Sequence, residues 1–287
     1  MKWKEWGMQF WIVDTFSSTL FEGNPATVCL LEKKLTQPVL QKIAQEFNTH
    51  ETVFVSPLQH QHFQIQWFTP TANESICGHG LLAAAHVLWN ELAIEGIDQN
   101  MIYFDAPNGI FAISKDSDRI SIRVTRRSNE PAAAPDRLIN ALGIPPIAVS
   151  KCGQIYIVEL FSVKQVMKIE PDIAKLEKVA CSGVVVTAEY GSDIQYDFAS
   201  RFFAPSVGIK EDYATMWSHC FLGPYWEQRL SRNTFMAVQA AQRESVIFVK
   251  CEGDYVDVAG NCLVSASGFL HSVRDWRFDG DLFSNSL

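Results

Sequence analysis

The stretch "SICGHGLLAAAHVLW", residues 75–89, decides how the rest of the chain is read. From Gly78 to about Leu92 it is apolar on nearly every side, and a helix without a polar face is enclosed by other structure rather than laid on a surface. Its surroundings say what encloses it. "FQIQWF" (63–68), "RISIRV" (119–124) and "YVDVAG" (255–260) alternate with period two, with turn chemistry such as "PNG" (107–109) between strands. The expectation is a β-rich α+β chain with few helices, in which a barrel or wrapped sheet surrounds 78–92.

An earlier helix is expected over 37–48. Thr36 can cap it, Pro38 suits its first turn, and Val39, Leu40, Ile43, Ala44 and Phe47 share one face. Its end delivers Asn48, Thr49, His50 and Glu51 to the strand "TVFV". Further on, "TRRSNEPAAAPD" (125–136) has the charge, proline and small residues of a linker, which divides the chain into lobes at 8–124 and 137–287. The second half echoes the first. Phe68-Thr69-Pro70 and Phe203-Ala204-Pro205 each end a strand before a helical stretch, the second over 218–230. Two similar lobes follow, with a cleft where their helix starts face each other.

Composition narrows the function classes. With 287 residues, 47% of them hydrophobic, the chain can bury a core without metals or disulfides. Its seven cysteines are odd in number and include no Cys-x-x-Cys pair, which reads as reduced thiols in a cytoplasmic protein. The start "MKWKEWGMQFWIVDTF" lacks a signal peptide's h-region and cleavage site. No segment reaches the roughly 18 uninterrupted apolar residues of a membrane span. A net charge of −8 with no basic run beyond Arg126-Arg127 argues against nucleic acid as a partner.

Several residues can carry chemistry. The first N–H groups of a helix lack internal partners and sit at the positive end of its dipole, so the backbone of Gly78, His79 and Gly80 can hold a carboxylate. The plainer reading is that these glycines only make a tight turn. Cys77 is a thiol that a helix terminus can activate, although free cysteine is more often a small buried hydrophobe. His79 with His86, and His60 with His62, are metal-like pairs without a third ligand, so no metal site is assigned. Glu51 is a base candidate, because a carboxyl closed off in a cleft can rise towards about 6–7, where it transfers protons at neutral pH. Asp212 lies near the start of the second helix, where its ordinary role is an N-terminal cap.

Four segments in order, "VDTFSSTLFEGNPATVCLL" (13–31), "IAQEFNTHETVFV" (43–55), "FTPTANESICGHGLLAAAHVL" (68–88) and "SRFFAPSVGIKEDYATMWSHCFLGPYW" (200–226), resemble the motifs of the PhzF-like isomerases. The resemblance runs from about Met8 to Leu270. It implies the diaminopimelate epimerase fold: two pseudo-symmetric lobes, each a β-barrel-like sheet around a central helix, with the active site between them. It also implies cofactor-independent proton movement on a small carboxylate-bearing metabolite, a dihydro-hydroxyanthranilate in the phenazine-pathway member, and a homodimer. By the same resemblance Glu51 is the general acid/base, and His79 and Asp212 line the site. Cys77 takes the place of one epimerase cysteine, and Thr215 that of the opposing one.

The chain departs from the family pattern at Met216-Trp217, where a Gly-Ser pair that binds substrate is expected. If that glycine needs positive φ, methionine costs on the order of 1–2 kcal/mol, and the Trp217 indole fills space otherwise open to ligand. Leu81 and Arg243-Glu244-Ser245 replace further motif positions. The expected substrate-binding set is thus Gly78, Gly80, Thr215 and Trp217. Two other readings stand beside the isomerase: a relative that has lost catalysis and binds a metabolite or protein, and a thiol racemase using Cys77.

Overall fold

The computed structural model describes residues 7–59, 61–71, 78–92, 94, 96–191 and 195–271. Two compact units divide it: the first takes residues up to Ile122 together with those from Asn261 onward, the second Arg123–Gly260.

The first unit begins with β1 (Met8–Thr15) and β2 (Asn24–Leu30), an antiparallel pair. Helix α1 (Gln37–Phe47) crosses over to β3 (Glu51–Gln59), which lies parallel to β2 and antiparallel to β4 (His62–Phe68). Helix α2 (His79–His86), continued by a π-helical turn at Val87–Glu91, makes the second crossover. It leads to β5 (Met101–Ala106), parallel to β4, and then to the antiparallel strands β6 (Gly109–Asp116) and β7 (Arg119–Thr125). Parallel neighbours need a crossover of this kind because a tight turn cannot reverse the chain twice.

The second unit repeats this order. A short β8 (Glu130–Pro131) and α3 (Asp136–Leu142) precede the antiparallel pair β9 (Ala148–Cys152) and β10 (Ile155–Glu159). Helices α4 (Val163–Lys168) and α5 (Ile173–Leu176) cross to β11 (Gly183–Glu189), parallel to β10 and antiparallel to β12 (Phe198–Ala204). Strand β13 (Ile209–Asp212) precedes α6 (Met216–Leu230), the second crossover. It leads to β14 (Thr234–Ala240), parallel to β12, and on to β15 (Glu244–Glu252) and β16 (Tyr255–Gly260). The same sequence of antiparallel, parallel, antiparallel, parallel and antiparallel pairings appears in both units, so the faint Phe-x-Pro echo marks a duplicated topology.

Each unit encloses one helix. His79 to Ala85 and Val87 to Trp89 are all buried, and α2 packs against β1, β2, β3 and β6. In the second unit Met216 and the run Ser218–Trp226 are buried, and α6 packs against β14, β15 and β16. Other helices cover the outer sheet faces: Leu40, Ile43 and Ala44 of α1 pack with Cys29, Phe54 and Phe68. In the second unit Leu138, Val166 and Leu176 meet Val184, Val186 and Phe203. The α+β fold with a sheet wrapped round a helix in each unit is as expected, and among the described residues no helix is long and apolar enough to cross a membrane.

Two boundaries differ from expectation. The final strand β17 (Cys262–Leu270) pairs antiparallel with β1 and belongs to the first unit, not the second. Period-two alternation identifies a strand but not its partner. Residues 125–136 are not a free linker either. The Arg126 and Arg127 N–H groups donate to Asp254 O (2.8 Å) and Cys220 O (3.0 Å), the Arg126 guanidinium pairs with Glu227, and Ala132 N–H donates to Val149 O (3.0 Å). A polar, proline-rich segment lacks core residues of its own, yet its backbone still finds partners.

Candidate functional site

Strand parity aims Glu51. Phe54 joins the α1 cluster on the outer face of β3, so Glu51 and Val53, of opposite parity, face α2. The approach is set by the end of α1, where Asn48 takes a left-handed conformation (φ 51°) and donates to Ala44 O at 3.0 Å. Thr49 Oγ1 then donates to Glu51 O at 2.9 Å and meets Thr27 Oγ1 at 2.9 Å, while His50 Nδ1 lies 2.9 Å from Asn24 Oδ1. Thr36 occupies the N-cap position of α1, but its hydroxyl makes no capping bond; Pro38 and the extended backbone of Thr36 define that start instead.

The first residue of α2 meets Glu51. His79 Nδ1 lies 3.3 Å from Glu51 Oε2, and the two residues are only 7% and 8% exposed. An imidazole and a carboxylate so paired can pass a proton, and the ring nitrogen holds the carboxylate's rotamer. Gly78 is the N-cap of α2 with φ −97° and ψ −55°, a conformation open to any residue. A special turn therefore does not explain this glycine. Cys77 and His60 lie outside the described residues.

The second unit presents Asp212 at the end of β13. It does not cap α6, because the N-cap is Thr215, three residues on. Thr215 in turn makes no capping bond, since its Oγ1 donates to Asp212 Oδ2 at 2.7 Å. Arg201 grips the neighbouring Glu211 with two bonds, Nε–Oε1 at 2.6 Å and Nη2–Oε2 at 2.9 Å. Met216 begins the helix and is absent from the positive-φ residues, so the expected strain does not arise. Trp217 is half-buried, and its Nε1 is buried with no hydrogen-bond partner among the described residues. His219, fully buried, lies with Nδ1 2.9 Å from Thr215 O, and burial lowers its pKa from 6.5 to about 4.

Sequence reasoning missed Gln239, Arg201 and His219, and named Ser245 only as a departure from a family motif. A signal existed for two of them: Gln239 shares strand parity with Phe235 and Ala237, and Ser245 with Ile247 and Val249, so each is a polar residue on a core-facing row. The thiols are poor nucleophile candidates. Burial pushes Cys220 and Cys262 up to about 12 and Cys251 up to about 11. His86, lowered to about 4 by burial and Lys115, bonds Asn90 at 2.9 Å, and among the described residues no three His, Cys, Asp or Glu side chains gather as a metal site.

The fold is thus a duplicated sheet-round-helix architecture, with a buried carboxylate and imidazole paired at one helix start and a carboxylate and hydroxyl paired before the other. The sequence model of the PhzC-PhzF family, described as phenazine biosynthesis-like protein, matches residues 13–268, and the chain belongs to that family. An uncharacterized isomerase of Halalkalibacterium halodurans is 35% identical over 254 residues, covering 88% of this chain and 94% of that protein. A PhzF-family crystal structure from Enterococcus faecalis superposes with a TM-score of 0.85 at 32% identity, over 91% of this chain and 98% of the other. A hydroxyproline epimerase from Agrobacterium vitis, solved with trans-4-hydroxy-L-proline, reaches a TM-score of 0.58 at 11% identity, over 93% of each chain. At that identity the likeness is one of fold.

Proposed function

We propose that this protein is a cofactor-independent isomerase or epimerase that moves a proton on a small carboxylate-bearing metabolite. The observation that carries the reading is the buried Glu51–His79 pair at the start of α2. Glu51 takes a proton from a carbon of the substrate, and the electron pair of that C–H bond moves into the adjoining conjugated system. The proton is then returned to a carbon, either a new position or the opposite face of the same one. His79, donating to Glu51, orients the carboxylate and relays charge, and the backbone of Gly78 and Gly80 receives the substrate carboxylate. Asp212 supplies the acid/base group of the second unit, with Thr215 and Trp217 as substrate contacts. The family membership and the isomerase description of the Halalkalibacterium relative support the reaction class.

The test offers dihydro-hydroxyanthranilate, trans-4-hydroxy-L-proline and L-proline to the protein in heavy water and follows carbon-bound deuterium by NMR. Glu51→Gln should slow incorporation by roughly 10²- to 10⁴-fold, the usual contribution of a positioned acid/base group. Undiminished incorporation in this variant refutes the assignment of the base. A compound that binds without exchanging favours the reading as a binding protein.

A further inference from the structure

We propose that Gln239 is a positioning residue that fixes the direction of the hydrogen bond between Thr215 and Asp212, and so sets Asp212 for proton transfer. The proposal rests on Asp212 being the acid/base group of the second unit.

Gln239 is completely buried on β14, and every hydrogen bond of its amide goes to a four-residue span. Oε1 accepts from the Thr215 backbone N–H at 2.9 Å, and Nε2 donates to Asp212 O at 2.7 Å and to Thr215 Oγ1 at 3.3 Å. A backbone N–H can only donate and a backbone carbonyl only accept, so the orientation of the amide is not open to reversal. Its second N–H therefore has to occupy a lone pair of the Thr215 hydroxyl. The hydroxyl proton is left pointing away from Gln239, onto Asp212 Oδ2 at 2.7 Å. The result is a chain of fixed polarity, from amide to hydroxyl to carboxylate. It keeps Oδ2 as an acceptor and leaves a proton exchanged at Asp212 to the other carboxylate oxygen.

The same span is held from the next strand. Ser245, also fully buried and directly opposite Gln239 in the β14–β15 pairing, donates to Tyr213 O at 3.1 Å. This one cross-strand pair thus engages Asp212, Tyr213 and Thr215. Ser245 fixes only backbone; Gln239 alone reaches the Thr215 hydroxyl. Loss of Ser245 should therefore weaken the turn without reversing the hydroxyl.

The experiment uses the full chain and three variants, with the Thr215 hydroxyl proton as the probe, observed by NMR as a slowly exchanging resonance near Asp212. Gln239→Leu should abolish it, and Ser245→Ala should keep it. Gln239→Glu provides the decisive arm. A protonated glutamic acid keeps the acceptor for the Thr215 N–H and one of the amide's two donors, for Asp212 O, whereas the ionised form can only accept, faces Asp212 O and its carboxylate, and draws the Thr215 hydroxyl proton away from Asp212. In this variant the resonance should be present below the titration of the introduced carboxyl, followed by its own 13C signal, and absent above it. Deuterium incorporation into dihydro-hydroxyanthranilate should fall roughly tenfold or more in kcat in Gln239→Leu, with KM nearly unchanged, as for an interaction needed in the transition state. A Thr215 resonance that persists in folded Gln239→Leu, or that ignores pH in Gln239→Glu, overturns the proposal. The spectroscopic arm involves neither Glu51 nor a substrate, so it can fail while the isomerase reading stands, and the reverse.

Discussion

Acidification should destabilise this protein through His219, and the size of the effect follows from the ring's surroundings. The imidazole is 0% exposed, stacks on Phe198 at 6.1 Å and 24°, and gives its Nδ1 proton to Thr215 O at 2.9 Å. Nε2 is buried with no hydrogen-bond partner among the described residues, so a second proton would enter where none of them accepts it. Burial accordingly lowers the pKa from 6.5 to about 4, with the Thr215 bond acting weakly in the other direction. The unfolded chain binds the proton near pH 6.5 and the folded protein only near 4, so the unfolded state gains protons first as pH falls. Stability is then complete above about pH 6.5 and declines toward pH 4, by about 3 kcal/mol over the window and about 2 kcal/mol between pH 7 and 5. His86, also lowered to about 4, acts in the same direction, which is why a variant is needed. His219→Asn keeps a donor for Thr215 O and removes the titration. Urea unfolding of both proteins at pH 7, 6 and 5 measures the difference in slope. Parallel pH dependences in the two proteins would refute the reasoning.

Two further outcomes test the packing. A Cβ placed on Gly223 of α6 would come within 2.8 Å of Val249 Cγ1 and 3.0 Å of Cys251 Sγ, both in the core. Alanine gains up to about 1 kcal/mol of helix propensity, but overpacking costs about 1–3 kcal/mol, so Gly223→Ala should lower the urea midpoint. A raised midpoint would show that the helix can shift. Thiol labelling of the native protein at pH 8, read by peptide mapping, should leave Cys29, Cys220, Cys251 and Cys262 unmodified until urea is added, because all four are buried with raised pKa. Rapid native labelling of Cys220 would contradict its burial.

What could be read in the sequence divides along physical lines. The enclosed helix at 78–92 was legible because a segment apolar on every face has only one stable location, and its period-two neighbours had only one way to provide it. Glu51 was legible as a candidate because a helix end and a strand start bracket it within four residues. The return of β17 to β1 was not, since a strand's alternation is identical whichever partner it takes, and the two segments lie about as far apart in sequence as the chain allows. The contact between His79 and Glu51 needed three dimensions for the same reason: parity fixes the face of β3, but not which turn of α2 passes over it. The position of Asp212 alone offers a cap as its ordinary role, beside the site role that the family resemblance implies. The hydroxyl partner of Asp212 shows instead that Thr215 holds the cap position and turns its side chain away from the helix.

The Met216-Trp217 pair bears on how far the rewritten segment disables the chain. Had the glycine it replaces required positive φ, methionine would have distorted the turn that carries Asp212 and Thr215. Met216 instead starts α6 with its side chain 2% exposed in the core. The turn before it is pinned by side chains from elsewhere, Gln239 and Ser245 from the sheet, with Ser218 Oγ donating to Thr215 O at 2.7 Å. The turn's hydrogen bonds are therefore made without the side chains of residues 216 and 217. The effect of the replacement falls on what the indole of Trp217 excludes or contacts, while the Asp212–Thr215 pair forms regardless. By this reasoning Trp217→Ser should change which small carboxylate is accepted and leave the Thr215 hydroxyl signal in place. Loss of that signal in a folded Trp217→Ser protein would show that the indole, and not the sheet, holds the turn.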